Sequence, residues 1–361
     1  MVKKQENRTI ILDNGTAAKA IFPVVVSASR STDIPAFYTD WFFHRLDKGY
    51  SAWTNPFNGI KYYVSYEDTK FIIFWSKNPR PLLNYIDKLR ERGIACYIQY
   101  TLNDYEKERL EKGVRPLAER IETFKLLVEK LGKGAVIWRF DPLILTDTIN
   151  IDKLLSKIEF IGDCLLGYTE KLVFSFADIA SYRKVKSNLE KNNILYKEWD
   201  EPTMLEFASK LAELNKKWGC ELATCGEKIN IEQFGIKHNH CVDDRLIVRM
   251  GYHSPELLRF LNASIVQAQD VQQDLFSLEE TTVIPEDAIL LDNGKHAIIS
   301  KSNRDKGQRE FCGCMKSKDI GEYNTCPHLC EYCYANTSKE IAITNYKQHK
   351  KNPLSDTITG K

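Results

Sequence analysis

The sequence predicts an α/β fold, a TIM-like (β/α) barrel that is either complete or incomplete, with a C-terminal cysteine-rich extension. Apolar, β-branched segments recur along the first 250 residues, and segments of helical length and pattern separate most of them. Continuously apolar strands that alternate with helices indicate a parallel sheet covered on both faces. A count of roughly eight strands favours a closed barrel over an open sheet.

The predicted strands follow one another at intervals that leave room for helices. The first, FPVVVSAS (22–29), precedes an aromatic-rich helical segment, and NGIKYYVS (58–65) is typical of a hairpin that decorates an early loop. The remaining predicted strands of the main sheet are SAWTNP (51–56), KFIIFWSKNP (70–79), ACYIQYTLND (95–104), AVIWRFDP (135–142), KLVFSFAD (171–178), CELATCGE (220–227) and HNHCVD (238–243).

Three regions are expected along the 361 residues. Residues 1–263 form the barrel domain. Residues 264–300, which include a Gln-rich stretch, form a linker or insertion. Residues 301–361 form a cysteine-rich segment that binds an iron-sulfur cluster and folds back on the barrel.

Composition excludes a bulk attraction to nucleic acid or membrane, because 51 basic and 49 acidic side chains nearly balance. No apolar run approaches the roughly 18 to 20 residues that cross a bilayer. The N-terminal MVKKQENRTIILDNG turns polar where a signal peptide would become apolar. We therefore expect a soluble, cytoplasmic protein with no membrane partner.

Three of the ten cysteines, Cys326, Cys330 and Cys333, form a CxxxCxxC motif near the C-terminus. In a reducing compartment, clustered cysteines indicate a metal or redox site rather than disulfides. Four thiolates are the usual closed arrangement for zinc and iron-sulfur sites, so three thiolates suggest one exchangeable coordination position. The alternative is a zinc site completed by His328, which lies inside the motif.

The string TCPHLCEYCYAN resembles the cluster loop of the radical S-adenosylmethionine superfamily, and its CxYCYAN part is similar to that of spore photoproduct lyase. The resemblance implies a 4Fe-4S cluster on Cys326, Cys330 and Cys333, with Tyr332 beside the cofactor. It further implies reductive cleavage of S-adenosylmethionine and an electron donor such as flavodoxin or ferredoxin. The cofactor carries that chemistry. Superfamily members usually place this loop after the first strand, so here it must fold back over the barrel mouth, and further S-adenosylmethionine-binding residues are not assigned.

Almost the whole chain resembles an uncharacterised bacterial family, a domain of unknown function with a C-terminal radical S-adenosylmethionine-like motif. The segments that carry this resemblance are SASRSTDIPAFY, NPFN, FWSKNP, IWRFDP, CVDD and CGCMKSKDIGEYNTCPHLCEYCYAN. The expected protein is an enzyme, a lyase, transferase or oxidoreductase, whose substrate is unknown, with a nucleic-acid-linked molecule as one candidate. The alternative is a zinc- or iron-sulfur-stabilised protein that serves in binding or electron transfer.

Four further cysteines, Cys225, Cys241, Cys312 and Cys314, follow late strands or precede the motif. We hypothesise that they meet at the barrel rim and bind a second, auxiliary 4Fe-4S cluster. The alternative is that some are buried small apolar side chains, as free cysteines often are.

Charged residues follow several predicted strands, where the loops of a parallel barrel converge on the active site. Arg30, Asp33, Lys77, Arg139 and Asp141 are the candidate catalytic residues. The three cations suit an anionic substrate group. For Asp33, a helix N-cap before Ile34 and Pro35 is the alternative.

The segment Gln272–Phe276, QQDLF, resembles the short peptide with which bacterial repair proteins bind the DNA polymerase sliding clamp. An extended segment with a Leu-Phe anchor suits groove binding. The alternative is that Leu275 and Phe276 pack against their own domain.

Overall fold

The structure is a computed structural model that describes residues 7–55, 58–266, 284–285 and 287–360. The strands are β1 (Arg8–Ile11), β2 (Ala17–Ile21), β3 (Val25–Ala28), β4 (Tyr50–Thr54), β5 (Lys61–Ser65), β6 (Phe71–Ser76), β7 (Ala95–Thr101), β8 (Val136–Leu143), β9 (Leu145–Thr146), β10 (Lys171–Phe176), β11 (Tyr196–Lys197), β12 (Glu221–Thr224), β13 (Ile236–His238), β14 (Ala263–Val266), β15 (Ile289–Leu290), β16 (His296–Ile299) and β17 (Lys318–Asp319).

The α-helices are α1 (Ile34–Phe37), α2 (Thr39–Lys48), α3 (Ile86–Glu91), α4 (Leu117–Leu131), α5 (Ile151–Cys164), α6 (Arg183–Lys191), α7 (Glu201–Asn215), α8 (Asp244–Gly251), α9 (Pro255–Phe260) and α10 (Lys339–Lys351). Short 3-10 helices span Arg80–Asn84 and Glu232–Phe234.

An eight-stranded parallel sheet with the order β13-β12-β10-β8-β7-β6-β3-β17 forms the centre of the fold. Seven of its strands lie in segments predicted from their apolar runs or next to them. The eighth, β17, comes from the cysteine-rich segment and pairs with β3. The prediction of a parallel α/β sheet is confirmed.

The sheet is open rather than closed. Among the described residues, no strand pair joins the edge strands β13 and β17, so the sheet has sequential strand order but is not the complete form of the expected TIM-like barrel. One reason is that SAWTNP does not join the main sheet. Its residues form β4, which pairs with β5 in a separate sheet of order β1-β2-β5-β4. The predicted hairpin at 58–65 is confirmed by that antiparallel pair.

The open sheet is nevertheless curved. The side chains of Tyr97 and Gln99 on β7 donate to the carbonyl oxygen of Cys241 at 2.7 and 2.9 Å. In a flat sheet, β7 and β13 would be about 19 Å apart, four spacings of about 4.8 Å. The three residues between the end of β13 and that contact span only about 10 Å. Curvature of the sheet closes the rest of the distance.

Alternate residues of the strands face two different cores, as the period of two requires. Ile72 and Phe74 of β6 join the larger core, where helices α2 to α5 and α7 cover the convex face. Phe71 and Ile73 join a smaller core on the concave face with Ile247 of α8. Because α8 and α9 occupy the concave face, the space that would be a barrel interior is already packed.

The chain after α9 adds a small separate sheet and one edge strand of the main sheet. The described part of the predicted linker 264–300 contributes to a three-stranded antiparallel sheet, β14-β16-β15, so it is a folded insertion. Residues 312–336 then return to the carboxyl ends of the parallel strands. There β17 fixes the path of the chain beside β3.

Within the described ranges, no helix combines the length and apolar character needed to span a bilayer.

Candidate functional site

The cysteine loop, defined here as residues 325–336, lies over the carboxyl ends of β3, β6 and β7. Its backbone docks on the segment after β7: Glu331 N donates to the Leu110 carbonyl and Gly113 N donates to the His328 carbonyl, both at 2.9 Å. A Cβ atom on Gly113 would lie 2.7 Å from the carbonyl oxygens of both Pro327 and His328. Only glycine therefore permits this close approach.

Asp33 anchors the loop from the first strand connection. Its Oδ1 accepts from Ala36 N at 2.9 Å, which caps α1, and from the Ser76 hydroxyl at 2.7 Å. Its Oδ2 accepts from Lys77 N at 2.8 Å and lies 2.7 Å from Nε2 of His328. Asp33 is thus the N-cap that the sequence offered as an alternative, and it also holds the cysteine loop.

His328 has no ring nitrogen free for a metal ion. Nε2 contacts Asp33, and Nδ1 contacts the Gly113 carbonyl oxygen at 3.2 Å. His328 as a whole is 2 % exposed. In this arrangement, the histidine orients the loop instead of supplying a fourth ligand.

A buried polar network holds the other side of the cysteine loop. The Lys77 ammonium donates to Glu111 Oε1 at 2.7 Å and to the Tyr332 hydroxyl at 2.8 Å, and Tyr332 in turn donates to Glu111. Asn103 Nδ2 also donates to the Tyr332 hydroxyl, at 3.1 Å. Burial raises the pKa of Glu111, but the charges of Lys77 and Arg120 outweigh it and lower that pKa to about 2. The network is therefore an ionised pair around a tyrosine.

The three thiols of the cysteine loop are close enough to influence one another. Burial is the main cause that raises the pKa of Cys330, and the charges of Cys333 and Cys326 raise it further. Lys77 acts in the opposite direction on Cys330. Burial also raises the pKa values of Cys326 and Cys333, and it outweighs the lowering effect of nearby backbone N–H groups, those of His328 and Asp33 on Cys326 and those of Asn336 and Ala335 on Cys333. These donors suit sulfur atoms that carry negative charge.

Leu329, between the first two cysteines, adopts a left-handed backbone conformation with φ of 53°. This conformation is unfavourable for a branched side chain. The docking contacts on both sides of Leu329 impose it, and it turns the chain between Cys326 and Cys330.

A second group of thiols, named here the thiol quartet, consists of Cys225, Cys241, Cys312 and Cys314. The Sγ atoms of Cys225 and Cys241 are 3.2 Å apart. The thiol of Cys314 lies near those of both Cys241 and Cys312. Through its hydrogen bond with Cys314, the pKa of Cys312 falls to about 6. The structure thus joins four thiols from three parts of the chain.

Arg139 connects the thiol quartet to the carboxyl end of β8. Its guanidinium donates to Cys241 Sγ at 3.1 Å and to Gln99 Oε1 at 3.2 Å, and it pairs with Asp141. Asp141 also accepts from the Ser175 hydroxyl. These polar side chains lie on the concave face at the carboxyl ends of β7, β8 and β10.

The three candidate cations do not share one partner. Arg30 pairs with Asp319 at 3.7 Å, Lys77 with Glu111, and Arg139 with Asp141. Lys77 serves the cysteine loop, and Arg139 serves the thiol quartet. Of the three, Arg139 is the one that belongs to the polar group on the concave face with Asp141 and Ser175.

Sequence reasoning missed several residues of this region. Glu111 lies in the polar string EKERLEKG, which is typical of an exposed surface, although Glu111 is buried. Glu227 was also missed; burial is the main cause that raises its pKa to about 7, and it accepts from Phe176 N at 2.9 Å. The only sequence signal for Glu227 was its position, two residues after Cys225, which follows a predicted strand.

One small group in the described part of the chain brings three ligand atoms within 4.8 Å of one another: His240, Asp243 and Asp244. Asp243 already caps α8, since its Oδ1 accepts from Arg245 N and Leu246 N at 3.0 and 3.2 Å. The sliding-clamp-like segment 272–276 lies outside the described residues.

A family model described as a domain of unknown function, DUF1848, matches residues 25–335. That range contains the parallel sheet, the thiol quartet and all but the last residue of the cysteine loop, and the match confirms the resemblance to a domain-of-unknown-function family. No curated protein matches the chain. No solved structure matches it either.

Proposed function

The chain belongs to the DUF1848 family, and for it we propose a radical S-adenosylmethionine-type enzyme with a 4Fe-4S cluster on Cys326, Cys330 and Cys333. The observation that carries the proposal is the docking of the cysteine loop over the carboxyl edge of a parallel sheet. Active sites of parallel α/β proteins lie at this edge. The sequential strand order and the curvature of the sheet support a distant relation to barrel enzymes.

The donor set fits such a cluster. Three thiols are available, each is influenced by its neighbours, and backbone N–H groups near the sulfurs of Cys326 and Cys333 lower the pKa values of these thiols against the larger effect of burial. Hydrogen bonds to sulfur are among the protein's means of tuning iron-sulfur clusters. All ten cysteines are free thiols in the structure, which supports function in a reducing compartment such as the cytoplasm.

A single zinc ion suits the cysteine loop less well. His328 is engaged through both ring nitrogens. Tetrahedral zinc with bonds of about 2.3 Å holds its sulfurs about 3.8 Å apart. Within the described ranges, the three sulfurs of the cysteine loop do not form a group with mutual distances under 4.8 Å. Wider spacing suits a cluster, because each thiolate then binds a different iron.

The residues of this chain would perform the positioning. Asp33 and Lys77 hold the two sides of the cysteine loop, the first through His328 and the second through Tyr332. Arg139, Asp141 and Ser175 lie at the carboxyl ends of β8 and β10, beyond the packed part of the concave face, where a substrate with an anionic or hydrogen-bonding group would meet them. When bound, the cluster and S-adenosylmethionine would supply reductive cleavage and hydrogen abstraction.

The partners that follow are an electron donor such as flavodoxin or ferredoxin and a substrate of unknown identity. A nucleic-acid-linked substrate rests only on the likeness of CxYCYAN to spore photoproduct lyase and on the segment 272–276. Pulldown by the sliding clamp, with Phe276→Ala as the comparison, tests that part separately. Clamp binding that persists unchanged in the variant would remove the segment from the proposal.

Anaerobic reconstitution with iron and sulfide tests the central claim. We expect a brown protein whose reduced electron paramagnetic resonance signal changes when S-adenosylmethionine is added, and reductive release of 5′-deoxyadenosine. Cys330→Ala should abolish that release, whereas Cys164→Ala, at the end of α5, should retain it. A colourless protein with one zinc per chain would overturn the proposal.

A further inference from the structure

We propose that the thiol quartet binds a second 4Fe-4S cluster, with one cysteine on each iron. This site goes beyond the proposed function and stands on its own contacts. With every iron bound by a cysteine, such a cluster has no open position for S-adenosylmethionine. The role of this second cluster is therefore electron transfer or structural support.

Three separate parts of the chain supply the four thiols. Cys225 directly follows β12, Cys241 lies three residues after β13, and Cys312 and Cys314 come from the segment that leads to β17. The Cys225 and Cys241 sulfurs are in contact at 3.2 Å, and Cys314 lies near both Cys241 and Cys312. Cysteines that only fill an apolar core need not have their sulfur atoms close together. A metal site, in contrast, requires that sulfur atoms from distant parts of the chain lie near one another.

Hydrogen-bond donors already converge on the sulfur atoms. Asn239 Nδ2 lies 3.0 Å and Arg139 Nη1 lies 3.1 Å from Cys241 Sγ, and Val242 N donates to Cys314 Sγ at 3.4 Å. Donors of this kind stabilise thiolates.

Positive charge accompanies the quartet on two sides. Arg139 is buried beside Cys241, and Arg309 lies near Cys225 and Cys312. A Cβ atom on Gly226 would lie 2.8 Å from Nη2 of Arg309, so Arg309 packs closely on the loop after Cys225. Two guanidinium groups offset the negative charge of a cluster held by four thiolates.

Gly313, between Cys312 and Cys314, packs closely against His240. A Cβ atom on Gly313 would lie 2.1 Å from Cδ2 of His240. Glycine therefore lets the CGC segment approach the turn that carries Cys241. The fit explains how two cysteines separated by one residue reach the same place as Cys225 and Cys241.

A single ion fits the quartet poorly. Among the described residues, no three of its sulfurs lie within 4.8 Å of one another, although tetrahedral zinc holds them about 3.8 Å apart. A four-iron cluster holds its ligand sulfurs farther apart, since each thiolate binds a separate iron. Cys225 and Cys241, whose sulfurs are 3.2 Å apart, would therefore separate when a cluster binds.

The quartet is also connected to the cysteine loop. Tyr332 of the loop accepts from Asn103, Asn103 Oδ1 accepts from Asp141 N at 2.9 Å, and Asp141 pairs with Arg139, which reaches Cys241. This chain of contacts crosses the carboxyl ends of β7 and β8. The second cluster would therefore lie at the same edge of the sheet as the first.

Iron and sulfide analysis of the anaerobically reconstituted full chain tests the proposal. The wild type should hold about eight irons, two clusters of four. The Cys312→Ala/Cys314→Ala variant and the Cys326→Ala/Cys330→Ala/Cys333→Ala variant should each hold about four. Cys164→Ala is the matched control and should retain about eight. Circular dichroism of each protein establishes that it is folded. The single variant Cys312→Ala, at a half-buried site, replaces the double variant if the latter does not fold, and should lose between one and four irons.

The outcomes separate this proposal from the proposed function. About four irons in the wild type, unchanged by the quartet variant, would overturn the second cluster and leave the first. About four irons that disappear only in the quartet variant would support the second cluster and overturn the first. One zinc bound by the quartet, or a Cys225–Cys241 disulfide found by thiol titration of the unfolded, anaerobically prepared chain, would overturn the present proposal.

Discussion

Asp33 and His328 lie 295 residues apart in sequence, and their side chains meet at 2.7 Å. The contact joins the loop after β3 to the cysteine loop, and both side chains are buried. Asp33 also caps α1 and binds Ser76 and Lys77 N. One carboxylate thus ties the start of the parallel sheet to the cysteine loop.

Asp33→Asn tests this tie. The amide retains one oxygen but loses the charge and one acceptor, so a buried donor is left without a partner, at about 1–3 kcal/mol. We expect the free energy of unfolding to fall by that amount in urea titration, and iron retention after reconstitution to fall with it. Asp152→Asn, on an exposed carboxylate paired with Lys210, is the control and should change stability by no more than about 0.5 kcal/mol. Equal effects of the two substitutions would contradict the role of Asp33.

Tyr332→Phe removes the hydroxyl around which Lys77, Asn103 and Glu111 are arranged. The buried ammonium and amide lose an acceptor, which should cost about 1–3 kcal/mol of unfolding free energy. Urea denaturation of the metal-free chain measures it. The exposed Tyr62→Phe serves as the comparison and should be nearly neutral. A neutral Tyr332→Phe would show that the network does not stabilise the loop.

Glu111 should make stability depend on acid. Its pKa is lowered from 4.5 to about 2 by Lys77 and Arg120 against the effect of burial. A carboxyl with a lower pKa in the folded state stabilises the fold above its unfolded pKa, and this stabilisation is lost as pH falls from about 4.5 toward 2. The shift corresponds to about 3 kcal/mol. Unfolding free energies measured between pH 7 and pH 3 should fall less steeply for Glu111→Gln, which is less stable at pH 7. A slope identical to that of the wild type would refute this.

Gly113→Ala should displace the cysteine loop. The new methyl group would meet two backbone carbonyl oxygens at 2.7 Å, and backbone atoms yield less readily than side-chain ends. Such overpacking costs about 1–3 kcal/mol. Gly307→Ala is the control, because its nearest contact is the end of the Asp305 side chain at 3.3 Å. Thermal unfolding and iron content measure both effects. Full iron content and unchanged stability in Gly113→Ala would contradict the docking geometry.

The local pattern of apolar residues predicted much of the fold. The apolar runs at β3, β6, β7, β8, β10 and β12 identified strands because a strand buried on both faces is apolar throughout. The same rule wrongly assigned SAWTNP to the main sheet. Its residues form a strand, β4, but β4 pairs with β5 in another sheet. Two-residue strands such as β17 leave no periodic signal, so the eighth strand was missed.

The candidate site divides in a similar way. The spacing of Cys326, Cys330 and Cys333 is local, and the sequence alone identified it. Glu111 and the engagement of His328 with Asp33 depend on contacts between distant segments, and nothing in their neighbourhoods in sequence indicates them. The sequence suggested Asp33 as a cap, and the structure adds its second partner.

By itself, the sequence determined an α/β protein with a parallel sheet, the position of most strands, and a cysteine motif suited to a metal cluster. Those properties follow from residue type and short spacing, which fix hydrophobic period and ligand chemistry. Only the tertiary structure decided that the sheet stays open, which thiols meet, and that Asp33, Lys77 and Glu111 serve the cysteine loop. Such contacts arise from the curvature of the sheet and the return of the C-terminal segment, and both depend on packing between residues far apart in the chain.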